Sequence, residues 1–167
     1  MRTGAAAVLL SAALLEGCTV FGSGGAKYQS GSVQVVATEV VGSHGGTVSV
    51  ARTGTPLDGI EVRFPAGAVP DNTPIEVAWD HGTLADVSGT PSGVIVRLVA
   101  GDLREFAQHI EIRVTFNPTQ KPKTVMAYSI DDQGRLHTLD VATFDSGRGE
   151  ALIWTFQPVR FTWVLVN

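Results

Sequence analysis

Cysteine is nearly absent from this 167-residue sequence, which holds a single one, Cys18. One thiol closes no intrachain disulfide and supplies no thiolate cluster for zinc. Basic residues are few as well: 12 Lys and Arg stand against 16 Asp and Glu, a net charge of -4. That balance lacks the cationic footprint that neutralises a phosphate backbone, so nucleic acid is not an expected partner. Aromatic residues are only 7% of the chain, which leaves few for a solvent-facing platform once a core is filled. Long apolar runs are missing too. The run from Ala5 to Leu15 would rise only ~16 Å as a helix, about half of a ~30 Å hydrocarbon core. No stop-transfer segment follows it. The length suits one domain with a real core and leaves no room for a second catalytic domain.

What is present begins with a leader. Met1 and Arg2 precede the Ala, Val and Leu run, the order of a secretory signal rather than of a spanning helix. The run ends in Leu15-Glu16-Gly17-Cys18, which resembles the lipobox of bacterial lipoproteins, with Glu16 where that family carries a small uncharged residue. The resemblance implies that residues 1–17 are cut away and that Cys18 becomes a diacylglyceryl-modified N-terminus. Cys18 is thus the candidate lipidation residue, and the expected partner is the membrane of a bacterial cell envelope, the outer membrane if the source is Gram-negative. More than one acyl chain gives stable anchoring, each buried methylene adding ~0.8 kcal/mol. From Gly22 to Ser32 the composition turns to Gly and Ser, as in a flexible tether. The expected organisation is a leader over 1–17, an anchor and tether over 18–32, and a folded domain over 33–167.

The folded part reads as all-β. Short runs of Val, Ile, Thr and aromatics alternate with Gly, Pro, Asp and Asn clusters. Ile60-Glu61-Val62-Arg63-Phe64 alternates strictly, and so do Ile75 to Trp79 and Ile110 to Phe116. Strands with one wet and one dry face predict an antiparallel two-sheet β-sandwich of about 9–10 strands. Further strands are expected over Val33 to Val41, Thr47 to Ala51, Gly93 to Val99, Thr124 to Ile130, Arg135 to Leu139, Ala151 to Phe156 and Phe161 to Val166. Asp131 to Gly134 reads as a hairpin turn. Pro65 and Pro70 bracket a tight corner that should move the chain from one sheet to the other, with Gly67 free to take a positive φ.

Three segments carry a family likeness: Gly45-Gly46-Thr47-Val48-Ser49-Val50, then Ile60 through Phe64-Pro65-Ala66-Gly67-Ala68-Val69, then Thr73 to Val77. With the stretches Pro91 to Leu98, Phe106 to Phe116, Met126 to Gly134 and Pro158 to Leu165, they resemble a ZU-five domain. That β-sandwich module is shared by ankyrins, Unc-type netrin receptors, a tight-junction scaffold protein and many bacterial surface proteins. In some relatives a closing His-Phe-Ser or His-Phe-Thr cuts itself. Phe161-Thr162 keeps the hydroxyl, but the base position holds Arg160, which stays protonated near neutrality. Self-cleavage is therefore not expected.

Other chemistry is thin. His44, His81, His109 and His137 are spread without metal-ligand spacing, and the expectation is no cofactor and no metal. No nucleophile elbow or phosphate-cradling loop occurs. Asp131-Asp132 reads as turn residues rather than a calcium site. Trp79, Trp154 and Trp163 share strand faces with apolar neighbours and are expected in the core. The resulting expectation is a non-enzymatic, membrane-tethered protein-interaction or structural module with an envelope protein partner. The alternative is a module binding a small ligand such as a glycan or peptidoglycan fragment, which needs an exposed tryptophan or a concave polar site.

Overall fold

Alternation decides the architecture. The computed structural model describes residues 27–167, so the leader and Cys18 lie outside the described residues. Within them the chain forms thirteen strands, β1 Lys27–Gln29, β2 Val33–Val41, β3 Gly46–Ser49, β4 Glu61–Phe64, β5 Thr73–Asp80, β6 Thr83–Ala85, β7 Thr90–Pro91, β8 Ile95–Ala100, β9 Ile110–Thr115, β10 Thr124–Ile130, β11 Leu136–Asp145, β12 Glu150–Thr155 and β13 Arg160–Val166. A single 3-10 turn, Pro118–Gln120, interrupts them. In β9 the side chains of Ile110, Ile112 and Val114 are buried while Glu111, Arg113 and Thr115 face outward. β5 does the same with Ile75 and Val77 against Glu76.

The all-β, antiparallel, two-layered expectation holds, and the two layers are one continuous sheet. Its order is β2-β5-β8-β13-β10-β11-β12-β9-β4-β3, with β7 added to β13. β11 joins the layers: Leu136 to Leu139 pair with β10, and Asp140 to Asp145 pair with β12. A register shift between Val141 and Thr143 marks the bend, as an extra residue in one strand kinks and twists it. On the opposite side the β2–β3 turn, bridged at Gly42 and Gly45, links the two ends of the sheet, so the sandwich is nearly closed into a barrel. The strand count exceeds the expected one because β1, β6 and β7 are short pieces laid beside the main sheet.

The corner between Pro65 and Pro70 carries the chain from β4 in one layer to β5 in the other, with Gly67 at φ 79°. Between the layers the side chains of Phe64, Ile75, Leu98, Ile112, Ile153, Phe161 and Trp163 fill the core. Phe64 meets Phe106 edge to face at 5.7 Å.

Part of the segment whose composition suggests a tether through Ser32 is a strand. Lys27–Gln29 pairs with Thr83–Ala85 as a separate two-stranded sheet, β1 with β6. Val164, which alternation would expose on β13, is fully buried, and the loop at Gly89 lies against it.

Candidate functional site

The deepest charge in the fold is Asp80, at the end of β5 and 1% exposed. A buried carboxylate is stable only when its lone pairs are occupied. Its Oδ2 accepts the Tyr28 hydroxyl at 2.5 Å and lies 3.1 Å from Nε of Arg160. Its Oδ1 accepts the backbone N–H of Gly82 at 2.8 Å and, more weakly, that of Gly31 at 3.4 Å. The Arg160 guanidinium lies over the Tyr28 ring, 4.9 Å from its centroid. Burial and the hydrogen bond to Asp80 push the Tyr28 hydroxyl up to about 12. This network ties β1, β5 and β13 together.

Beside it runs an open cleft of about 740 Å³ at one end of the sandwich, lined by Arg97, Leu98, Leu103, Asp131, Asp132, His137 and Arg160 among others. The β10–β11 turn forms one wall. Asp131 Oδ1 accepts the backbone N–H groups of Gln133 and Arg135 at 2.9 and 2.8 Å. Its Oδ2 lies 2.7 Å from Arg135 Nε and 3.0 Å from His137 Nε2. The hydrogen bonds from His137 and Arg135 hold the Asp131 carboxyl well below the usual carboxylate range. Both Asp131 oxygens accept hydrogen bonds within the turn.

Two further surfaces stand out. β2 is nine residues long and, among the described residues, pairs on one side with β5 and on the other only through the bridge beside its turn. Val33, Val35 and Val40 are exposed on it. It carries neither Lys nor Pro; of the devices that blunt an edge it has one charge, Glu39, and a bulge between Val35 and Ala37.

The second surface corrects the expectation for Trp154. On β12 the buried set is Ala151, Ile153 and Thr155, so Leu152 and Trp154 face outward, and Phe156 follows beyond the strand's end. Pairing with β9 sets this choice: Ile153 lies opposite the buried Ile112, and Trp154 opposite Glu111. The bulkier set is therefore the outward one. Trp154 is 39% exposed and Phe156 55%. The His109 ring lies 4.6 Å from that of Trp154 and 5.9 Å from that of Phe156. On the other side of Trp154 stands Asp140 of β11. Trp163 is buried as expected, and Trp79 is half-buried against the core with its ring 4.2 Å from that of His81.

The remaining histidines do not converge. His44, His81 and His137 are exposed and His109 half-buried. Among the described residues no three His, Cys, Asp or Glu side chains gather as a metal site. Thr162, the hydroxyl of the self-cleavage resemblance, is buried, donates to the Val94 carbonyl at 2.7 Å and meets Ser92 Oγ at 3.3 Å. Arg160, in the base position, is held by Asp80.

Sequence reasoning missed Tyr28, Asp80, Arg97 and the Arg160 ion pair. The available signal was Asp80-His81-Gly82, a carboxylate ending an alternating strand just before a glycine. Compared with known proteins, the chain matches no family model and no curated protein.

Proposed function

We propose that this chain is a non-enzymatic envelope lipoprotein, tethered through lipidated Cys18, whose ZU-five-like β-sandwich is a protein-interaction module. The observation that carries the reading is the β2 edge. Nine residues of open backbone with three outward valines offer main-chain hydrogen bonds and apolar pockets to an added partner strand. The lipobox-like Leu15 to Cys18 supports the tether, and the envelope follows from it as the location.

Two measurements on the full chain test it. The mass of the native protein should show acylated Cys18; an unmodified thiol removes the tether. Envelope proteins crosslinked to the wild-type chain should be lost from the Val35→Lys, Val40→Lys double variant, because charged side chains oppose strand addition. Equal recovery with unchanged thermal unfolding overturns the edge reading.

A glycan-binding reading is favoured by one specific observation, the exposed Trp154. Its ring, backed by His109 and flanked in register by Glu111 and Asp140, pairs an apolar face with hydroxyl-accepting carboxylates. Retention on an immobilised glycan, beside no recovered protein partner, would reverse the ranking.

A further inference from the structure

Arg97 on β8 and Arg160 on β13 are direct partners across an antiparallel pair. The neighbouring residues Leu98 and Val159 exchange both backbone hydrogen bonds, at 2.8 and 3.2 Å. The arginine pair therefore occupies the non-hydrogen-bonded register, where opposing side chains come closest. Like charges placed directly opposite each other destabilise a sheet.

Asp80 offsets only one of the two. Its Oδ2 lies 3.1 Å from Arg160 Nε, and Arg160 also lines the cleft. Arg97 is exposed and, among the described residues, has no carboxylate within ion-pair distance. Arg160 is also confined, since Tyr28 stacks beneath it and its side chain, beside Asp80, is only 22% exposed. Holding a guanidinium in place before binding removes part of the ordering cost of gripping an anion.

The rest of the cleft narrows the choice of anion. Asp132, exposed in the β10–β11 turn, lines the same cleft as the arginines, and the half-buried Leu103 and Leu139 supply apolar wall. A dianionic phosphate meets repulsion from Asp132. A ligand bearing one carboxylate and one ammonium meets a cation at one end and an anion at the other. A volume of about 740 Å³ accommodates a small ligand of that kind.

We propose that this cleft binds a small zwitterion, its carboxylate bridging Arg97 and Arg160 and its ammonium facing Asp132, as an amino acid or a short peptide would present them. The site is separate from the Trp154 face, whereas Val35 of the β2 edge stands in register with Ala78 and through it with Arg97, on the same face of the sheet.

The test is a titration of the full chain in detergent micelles, read by the side-chain NMR signals of Arg97 and Arg160 and by calorimetry. The probes are alanine, the dipeptide Ala-Ala, Ala-Ala amide and inorganic phosphate. Saturable shifts are expected with Ala-Ala and none with its amide. Arg97→Gln should weaken Ala-Ala binding about tenfold or more, the loss of a charge-assisted contact. Because Arg97 is exposed, the fold should survive, checked by an unchanged near-ultraviolet circular dichroism of the buried Trp163. Asp132→Asn should weaken Ala-Ala while leaving acetylated Ala-Ala, which lacks the ammonium, unchanged. Tighter binding of alanine than of Ala-Ala assigns the site to free amino acids, and the reverse to peptides; both support the zwitterion. No saturable shift, equal binding of the amide, or stronger binding of phosphate overturns it.

Discussion

The Tyr28 hydroxyl donates to Asp80 across 52 positions of the chain, fastening a strand outside the main sheet to the end of one inside it. The consequence is a sensitivity to alkali. Burial and the Asp80 bond raise the hydroxyl to about 12 from 10.0. The folded state favours the neutral phenol, so the contribution is complete below pH 10 and is lost as pH rises through about 12. Absorbance of tyrosinate should show a step near 12 that vanishes in Tyr28→Phe, and hydrogen exchange of Lys27–Gln29 should accelerate over the same window.

Asp80→Ala removes the anion and leaves the Arg160 guanidinium, whose side chain is 22% exposed, beside an emptied polar pocket. Breaking one side of a buried pair costs about 3–5 kcal/mol, and partial exposure of the arginine places this variant near the lower figure. Chemical denaturation should show that loss. A change under about 1 kcal/mol would mean that water replaces the carboxylate.

Asp131 gives the opposite pH sign. Its carboxyl is held below the ordinary 3.8 by His137 and Arg135, so its contribution is full above that value and declines as pH falls below it. Asp131→Asn should loosen the β10–β11 turn at neutral pH much as strong acid does in the wild type. The readout is amide exchange at Gln133 and Arg135, whose N–H groups then face a neutral amide oxygen in place of the carboxylate.

Strand identity was legible in the sequence because alternation is a local property. β10 runs over Thr124–Ile130 as read, and the Pro65 to Pro70 corner changes layers as its prolines and Gly67 imply. Facing was legible only where one set of residues is charged: Glu61 and Arg63 leave no doubt about Val62. On β12 both sets carry apolar residues, and the choice falls to a strand distant in sequence, β9, whose Ile112 fixes Ile153 inward. The cleft was not legible for a similar reason. Arg97 and Arg160 are 63 positions apart, and nothing local to either shows that register places them face to face. Tyr28 was hidden by composition, since the Gly and Ser around it read as a tether although the ring and hydroxyl dock on folded residues.

The facing of β12 is open to a mutational contrast. Ile153→Ala removes a fully buried side chain at the centre of the sandwich and should cost about 2–5 kcal/mol. Phe156→Ala removes a larger ring that is 55% exposed and touches His109 edge on, and should cost under about 1 kcal/mol. Denaturant midpoints rank the two. Equal losses would place both residues inside and return Trp154 to the core.

Trp154 separates the two functional readings most directly. Of the three tryptophans it is the most exposed, so acrylamide should quench it strongly and Trp163 hardly at all. Trp154→Ala should cost less than truncation of the buried Ile153, since the ring faces outward, 39% exposed and stacked on His109. If a glycan occupies this face, the same variant abolishes retention on the glycan resin, because stacking on the ring is the apolar half of the grip. If the β2 edge carries the function, retention is absent from the start and capture of the protein partner is indifferent to Trp154. A variant that loses both would instead join the two surfaces into one interface, which their positions oppose: Trp154 lies on β12 in one layer and Val35 on β2 in the other.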